Sequence, residues 1–246
     1  MRIVGGRLRG RALAGPKPGI GTIRPTSDRL RESLFNVLAH AYDDPLDGAR
    51  VLDLFAGTGA LGFEALSRGA AFALLVDDGI EARGLIRENQ MALGLAGHSR
   101  VFRRDAGKLG PISAMDPFAV VFCDPPYRKG LGETALASAR DGGWLAPGAL
   151  VILEEAGDVE IALPDGFELL ERRDYGETQV LILQAIQPYR SVRCPSRIGP
   201  HPKSHDAARR DPRIIAPCRT RLAVRCCSSR CWACSGASTG RRCGSR

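Results

Sequence analysis

Short apolar runs alternate with amphipathic segments through the middle of the chain. Residues 51–55, 71–76 and 118–123 form runs of strand length, and the last is continuous enough to be buried on both faces of a sheet. Residues 80–93 and 131–140 place apolar side chains at helical spacing. Strands that alternate with helices predict an α/β fold with a doubly wound, mainly parallel sheet.

Segments on both sides extend this pattern. Residues 101–102 and 149–153 predict two further strands. Residues 167–173 and 178–184 predict a closing antiparallel pair. Near the other end, residues 2–13 predict a β-hairpin or a pair of short strands, because apolar positions flank Gly-containing turns.

A glycine-rich turn joins the first central strand to the helix that follows it. Gly57, Gly59 and Gly62 match the pattern G-x-G-x-x-G, and Asp77 lies about 20 residues after the first of them. Glycines allow close backbone approach to a ligand, and a helix N-terminus offers free N–H groups. The pattern predicts a ligand cradle, although a glycine-tolerant turn without a ligand would look the same.

Four aspartates and one glycine fall at or just after the ends of the predicted strands. These residues are Asp53, Gly57, Asp77, Asp105 and Asp124. Ligands of open α/β sheets bind beyond the carboxyl ends of the strands. The pattern therefore predicts one binding crevice at this edge of the sheet.

The sequence Asp124-Pro125-Pro126-Tyr127, called the DPPY turn below, directly follows the most apolar strand. Two prolines stiffen the backbone and remove two N–H donors, which leaves carbonyl acceptors, a carboxylate and an aromatic ring. That set suits an amino group on a flat ring. The carboxylate and a backbone carbonyl can accept the two hydrogens of the amino group, while Tyr127 stacks on the ring. A rigid turn without chemistry is the plainer alternative. The four histidines do not lie where hydride transfer would need a general acid or base.

Charge is distributed unevenly along the 246 residues, although the net charge is only +8. Residues 1–31 carry eight Lys or Arg and one acid, residues 32–186 are acidic, and residues 187–246 carry 14 Lys or Arg and two acids. Basic ends on an acidic body suggest a polyanionic partner. Residues 1–20 contain no apolar signal region and the chain contains no run of membrane length, so we expect a cytoplasmic protein.

Six arginines near the start are candidates for contact with phosphates. They are Arg7, Arg9 and Arg11 on the predicted hairpin and Arg24, Arg29 and Arg31 around the start of a predicted helix. Basic side chains oppose the dipole at a helix N-terminus, which suggests that they serve a partner. A soluble edge hairpin and surface ion pairs with Asp28 or Glu32 are the alternatives.

Three regions follow from these patterns. We expect residues 1–25 to form a basic arm for a polyanionic partner, residues 26–186 to form the α/β domain with the predicted crevice, and residues 187–246 to form a basic, Cys-rich and disordered tail. Seven of the eight cysteines lie in the tail, which leaves the core with Cys123 alone, as in a reduced cytosolic domain. The tail contains a lone C-x-x-C without a second ligand pair, so no metal site is predicted.

The motifs together resemble a known family. DLFAGTGALG, a strand-end acid and DPPY are similar to class I S-adenosylmethionine-dependent methyltransferases that act on exocyclic amines. With RIVGGRLRGRAL and RPTSDRLRESLFNVL, residues 1–186 resemble the RsmD family of bacterial 16S ribosomal RNA guanine-N2 methyltransferases. The resemblance implies a Rossmann-like, mostly parallel sheet of seven strands with an antiparallel closing strand and an N-terminal hairpin.

The resemblance also implies roles for individual residues. The cofactor-binding set is Asp53, Gly57, Gly59, Asp77 and Asp105, and the catalytic set is Asp124, Pro125, Pro126 and Tyr127. Asp77 matches the acid that binds the ribose hydroxyls. Many relatives carry the longer glutamate there, so Asp78 is an alternative for that contact.

The implied function is transfer of a methyl group from S-adenosylmethionine to a guanine N2 amine. The implied partner is 16S ribosomal RNA or the assembling small ribosomal subunit, and we expect a monomer. The DPPY chemistry leaves adenine N6 in nucleic acid and a protein glutamine open as alternative targets. A non-catalytic RNA-binding protein with a vestigial cofactor fold is a third reading, against which the intact motifs argue.

Overall fold

The computed structural model describes residues 1–16 and 27–186, so Arg24 and the predicted tail at 187–246 lie outside the described residues. A sheet of seven strands forms the centre of the described part. The strands are β1 (Arg50–Leu54), β2 (Phe72–Val76), β3 (Ser99–Phe102), β4 (Phe118–Cys123), β5 (Leu145–Ala156), β6 (Phe167–Tyr175) and β7 (Thr178–Ala185). Their order is β3-β2-β1-β4-β5-β7-β6, and only the pairs that involve β7 are antiparallel. This topology confirms the predicted mainly parallel sheet with its antiparallel closing strand.

The described residues contain four α-helices, which pack on the two faces of the sheet. They are α1 (Asp28–Ala41), α2 (Ala60–Ser67), α3 (Ile80–Leu93) and α4 (Leu131–Asp141). Ser27 caps α1, because its hydroxyl oxygen accepts the Leu30 N–H at 3.1 Å. Within the described ranges, we find no helix with the length and apolarity needed to cross a membrane.

Apolar side chains alternate between the two faces of the central strands, so that both faces are buried. Helices α1, α2 and α3 contribute to the core on one face, where the rings of Phe35 and Phe122 lie 5.4 Å apart. Helix α4 packs on the other face together with Trp144. Strand β5 is longer than predicted at both ends, because Pro147 and Gly148 interrupt its apolar pattern before residue 149 and the buried Glu154 and Glu155 interrupt it after residue 153.

The register of the strands brings their carboxyl ends to one edge of the sheet. Leu54, the last residue of β1, is paired with Val76 in β2 and with Cys123 in β4. Asp77 and the DPPY turn therefore leave the sheet at the same edge, one on each side of β1. Because β7 runs in the opposite direction, its first residue Thr178 also lies at this edge.

The predicted N-terminal hairpin is not a pair of strands. Residues 1–14, called the N-terminal strap below, contain one antiparallel bridge, between Arg2 and Ala12, and a short 3-10 helix at Gly6–Leu8. Gly6 and Gly10 have φ values of 69° and 85°, and these left-handed positions turn the chain before a ladder can extend. The strap is nevertheless part of the core, because Ile3 and Leu13 are buried.

Helix α2 holds the strap through buried polar side chains. The Glu64 carboxylate accepts the Val4 N–H at 2.8 Å. The Ser67 hydroxyl accepts the Leu8 N–H at 2.9 Å and donates to the Gly5 carbonyl at 2.6 Å. These bonds satisfy backbone groups of the strap that would otherwise be buried without partners.

The prediction that Arg31 contacts RNA is corrected by the structure, because this residue is buried. Its side chain is fully buried and pairs with Asp28, with the Arg2 carbonyl at 2.8 Å and with Glu64 at 3.7 Å. Glu64 also pairs with Arg68 at 2.8 Å. The arginine therefore joins α1, α2 and the strap inside the protein, where RNA has no access to it.

We expect Glu64→Ala to destabilise the protein strongly. The change leaves the buried Arg31 and the partly exposed Arg68 without their shared carboxylate, and breaking a buried ion pair costs about 3–5 kcal/mol. The free energy of unfolding from urea denaturation measures the loss. The control is Glu88→Ala at an exposed position of α3, where a change within about 0.5 kcal/mol is expected. Similar losses for both variants would contradict a structural role for the buried carboxylate.

Candidate active site

A cleft of about 1200 Å³ opens at the carboxyl edge of the sheet. The sequence-predicted residues that line it are Asp53, Gly57, Asp77, Asp124, Pro125, Pro126 and Tyr127. Two further predicted residues, Gly59 and Asp105, are not among the lining residues. The glycine loop and the DPPY turn, which lie far apart in the sequence, therefore face the same space.

The glycine loop is held in place by the end of the neighbouring strand β2. The Ala56 N–H donates to the Val76 carbonyl at 3.0 Å, and the Gly57 N–H donates to the Asp77 carboxylate at 2.9 Å. Phe55 and Gly57 have φ values of 60° and 56°. A bulky residue such as Phe55 is uncommon in that region, so the surrounding contacts hold the loop in a strained shape.

Two glycines of the motif serve packing rather than contact with the cleft. A Cβ atom on Gly59 would lie 2.5 Å from the ring of Phe63. On Gly62 it would lie 2.4 Å from a methyl group of Leu75 and 3.1 Å from the Asp53 carboxylate. Gly62 therefore allows α2 to pack closely on the sheet, Gly59 leaves room for Phe63 of the same helix, and Gly57 lines the cleft.

Asp53 lies beneath the loop with only 1% of its surface exposed. One carboxylate oxygen accepts the Gly62 N–H at 2.9 Å. Burial raises the pKa of Asp53 to about 7; the Gly62 N–H opposes this rise and the charge of Asp77 adds to it. A positive charge placed nearby would favour the ionised form. This carboxylate is thus suited to a cationic ligand.

Asp77 links the glycine loop to the segment that follows β2. Its two carboxylate oxygens accept the N–H groups of Gly57 at 2.9 Å and Gly79 at 2.8 Å. Burial raises the pKa of Asp77, and the two N–H donors act against this rise. The next residue, Asp78, is exposed and also lines the cleft, so both acids named from the sequence are placed to contact a ligand.

Asp105 occupies a different environment from the other predicted acids. It is exposed on the loop after β3 and caps a short 3-10 helix, where its carboxylate accepts the Gly107 N–H at 2.8 Å. Asp105 therefore does not line the described cleft, and its contact with the adenine amine stays a prediction.

Hydrogen bonds hold the DPPY turn at both ends, at Asp124 and at Tyr127. The Asp124 N–H donates to the Leu54 carbonyl at 3.4 Å, and Pro125 is buried while Pro126 is exposed. The Tyr127 hydroxyl donates to Glu154 and lies 3.3 Å from the Thr178 hydroxyl. Burial and the Glu154 charge raise the pKa of Tyr127, so its phenol remains protonated.

Sequence reasoning missed Glu154 and Thr178, which hold the tyrosine ring in place. Both are buried and line the cleft, from β5 and β7 respectively. The signal available in the sequence was the pair of acids that ends the apolar run of β5. Acids at that position break the hydrophobic pattern of a strand, which is unusual unless the strand end faces a site.

Acidic side chains dominate the charge of the cleft. They are Asp53, Asp77, Asp78, Glu81, Asp124, Glu154, Asp174 and Glu177, against two arginines, Arg29 and Arg128, among the described lining residues. Arg128 also pairs with Asp158 at 3.0 Å. Such a cleft attracts a cation and repels phosphates from its interior.

The predicted RNA-binding arginines fall into different environments. Arg7, Arg9 and Arg29 are exposed, and Arg29 lines both the cleft and a neighbouring notch of about 340 Å³ that Arg9 also lines. Arg11 is exposed as well, but its guanidinium donates to the Ala92 carbonyl at 2.6 Å. Arg9 and Arg29, called the basic rim below, therefore lie beside the acidic cleft, in a notch that Asp28 and Glu32 also line.

The sequence and the fold match those of known proteins. The family model for conserved hypothetical protein 95 matches residues 1–184. The ribosomal RNA small subunit methyltransferase D of Escherichia coli (strain K12) is 44% identical over 165 residues, which cover 67% of this chain and 78% of that protein.

Solved structures show the same architecture. The Escherichia coli protein yhhF is 36% identical with a TM-score of 0.64, and the match covers 76% of this chain and 98% of that one. The Thermus thermophilus 16S rRNA N2 methyltransferase RsmC, solved with S-adenosylmethionine and guanosine, shares the fold at 21% identity and a TM-score of 0.50, over 69% of this chain and 45% of that one. The chain therefore belongs to the Cons_hypoth95 (RsmD) family and has the class I methyltransferase fold that its motifs predicted.

Proposed function

We propose that the protein transfers a methyl group from S-adenosylmethionine to the exocyclic N2 amine of a guanine in 16S ribosomal RNA. The observation that carries the proposal is that one cleft combines the donor acids Asp53 and Asp77 with the DPPY turn. The name of the Escherichia coli relative, at 44% identity, supports small-subunit ribosomal RNA as the substrate. Free RNA and an assembling subunit both fit this proposal.

The described residues suit the methyl donor. The donor carries a positive sulfonium, and Asp53 and Asp77 place negative charge beside the glycine loop. Asp77, and Asp78 next to it, offer carboxylate oxygens to ribose hydroxyl groups. A cleft of about 1200 Å³ leaves room for a flipped base next to the donor.

The acceptor end of the cleft would orient the guanine amine. S-adenosylmethionine supplies an electrophilic methyl group when it is bound. Asp124 and the Pro125 carbonyl accept the two amine hydrogens, which favours a pyramidal nitrogen and frees its lone pair. With the donor bound, the amine nitrogen would take the methyl group while sulfur keeps the electrons of the broken C–S bond, and Asp124 or water would accept the amine proton. Orientation of this kind contributes several kcal/mol, up to about 7–11 kcal/mol in the best cases.

Tyr127 provides the surface on which the base stacks. Its hydroxyl is held by Glu154 and Thr178, so the ring does not need to be ordered when the base arrives. A guanine inside a helix cannot reach this position, and the target base must therefore be flipped or unpaired. The basic rim around Arg29 would hold the phosphates outside the acidic cleft.

We expect Asp124→Ala to abolish methyl transfer and leave donor binding largely intact. The change removes an acceptor for the amine and does not touch the glycine loop. A labelled-methyl assay on undermethylated small subunits, followed by nucleoside analysis, measures activity and identifies the methylated atom. Calorimetry measures donor affinity. Full activity of the variant would refute the assignment, and a label on adenine N6 would point to the alternative target.

We expect Asp53→Asn to stabilise the free protein and weaken donor binding above pH 7. The folded pKa of about 7 lies above the unfolded value, so wild-type stability falls as the pH rises from about 4 to 7, by a few kcal/mol at most. The neutral amide removes this contribution to the pH dependence. Urea denaturation across this pH range, with donor affinity at pH 6 and 8, tests both effects. A variant less stable than wild type at pH 8 would contradict the expectation.

We expect Arg7→Gln, Arg9→Gln and Arg29→Gln each to weaken RNA binding. The slope of log affinity against log salt should fall by roughly 0.7–0.9 for each phosphate that the protein no longer neutralises. Filter binding at several salt concentrations measures this slope. The matched control is Arg100→Gln, at an exposed position of β3 away from the cleft lining. A slope unchanged by all three variants would show that these arginines do not contact the RNA backbone.

A further inference from the structure

A buried asparagine joins the N-terminal strap to the glycine loop. Asn89 on α3 is 1% exposed, and its side-chain N–H₂ group donates to the Thr58 carbonyl at 3.0 Å and to the Ala14 carbonyl at 3.1 Å. Its side-chain oxygen accepts the Ala14 N–H at 2.6 Å. One carboxamide therefore connects three segments that are distant in sequence.

The chemistry of this contact requires an amide. The Asn89 side chain uses both of its donors and its acceptor, and the reverse orientation would turn its oxygen toward two carbonyl groups. An aspartate would offer no donor to the carbonyls of Ala14 and Thr58, and an alanine would leave those backbone groups buried without partners.

Thr58 makes this contact relevant to the donor. It is 4% exposed and follows Gly57, which lines the cleft and donates its N–H to Asp77. Its hydroxyl also lies 3.8 Å from the sulfur of Met1 in the strap. Thr58 is thus held on the strap side through its carbonyl and its hydroxyl, while Gly57 is held on the β2 side.

The strap also carries the arginines assigned to RNA. Arg7 and Arg9 are exposed, and hydrogen bonds from Ile3 to Arg11 at 2.9 Å and from Gly10 to Ile3 at 2.8 Å tie the two limbs of the strap together. A partner that orders the exposed turn therefore acts on a segment whose other end is bonded to Asn89.

We propose that Asn89 is a positioning residue that couples RNA docking on the strap to donor binding in the cleft. The inference rests on the proposed function. RNA that holds the strap more rigidly also restrains the Thr58 carbonyl, to which Asn89 bonds the strap, and this reduces the conformational entropy that donor binding must still remove. Thermodynamic linkage makes the effect reciprocal, so the donor tightens RNA binding by the same factor.

The first test uses the unmodified protein. Calorimetry measures the Kd of S-adenosylhomocysteine, which has no transferable methyl group, with and without saturating unmethylated 16S ribosomal RNA transcribed in vitro. We expect RNA to lower this Kd at least about fivefold. An equal Kd in both conditions overturns the coupling.

The second test compares two variants of α3. Asn89→Ala should raise the Kd of S-adenosylhomocysteine alone by about tenfold, since a buried hydrogen bond contributes about that factor, and should abolish the tightening by RNA. Gln90→Ala is the matched control, because Gln90 donates to the Ser99 carbonyl and hydroxyl at 2.9 Å and touches neither Thr58 nor Ala14 through those bonds. It should keep the wild-type coupling.

The outcomes separate this inference from the function on which it rests. Wild-type protein that binds no S-adenosylmethionine overturns both. Wild-type protein that methylates RNA but shows no coupling overturns only the role of Asn89, as does an Asn89→Ala variant that retains full coupling. If the alanine variant does not fold, Asn89→Asp takes its place, because it keeps the acceptor for the Ala14 N–H and loses both donors; full coupling in that variant overturns the role of Asn89.

Discussion

The in-register parallel pairing of β1 with β2 and β4 is the constraint on which the site depends. Because Leu54 aligns with Val76 and Cys123, the three strands end at the same level. The residues that follow them must then share one edge, and the glycine loop can accept the support of Asp77 from the next strand. A shift of one residue in either pairing would turn alternate side chains to the opposite face and remove this support.

The N-terminal strap provides hydrogen-bond partners for the buried polar side chains of α2. All eight residues of this helix are buried, so its polar residues need partners inside the protein. Glu64 and Ser67 find them in the backbone of the strap, and Arg31 adds a cation from α1. The same helix begins at the glycine loop. The segment that carries Arg9 of the basic rim is thus packed against the element that shapes the donor site.

Local sequence patterns were sufficient to predict most of the architecture. Uninterrupted apolar runs fixed the central strands, with β4 and α3 predicted to the residue. The family followed from the combination of the glycine loop, the DPPY turn and the arginine-rich start, because few folds need all three. These features depend on neighbouring residues and on short-range spacing, which a single chain displays directly. The prediction failed for β5, where the buried acids at its end hid its length.

The partners of individual polar side chains were decided only by the tertiary structure. A single sequence shows that Arg7 and Arg31 both belong to the basic segment at residues 1–31. It does not show that Arg7 is exposed while Arg31 is buried against Glu64. It likewise places Asp77 and Asp105 at strand ends, although only Asp77 lines the cleft. The physical reason is that burial and long-range hydrogen bonds depend on contacts between segments far apart in the chain. What the sequence determined was the chemistry present, and what folding decided was which of those groups face the ligand and which hold the fold together.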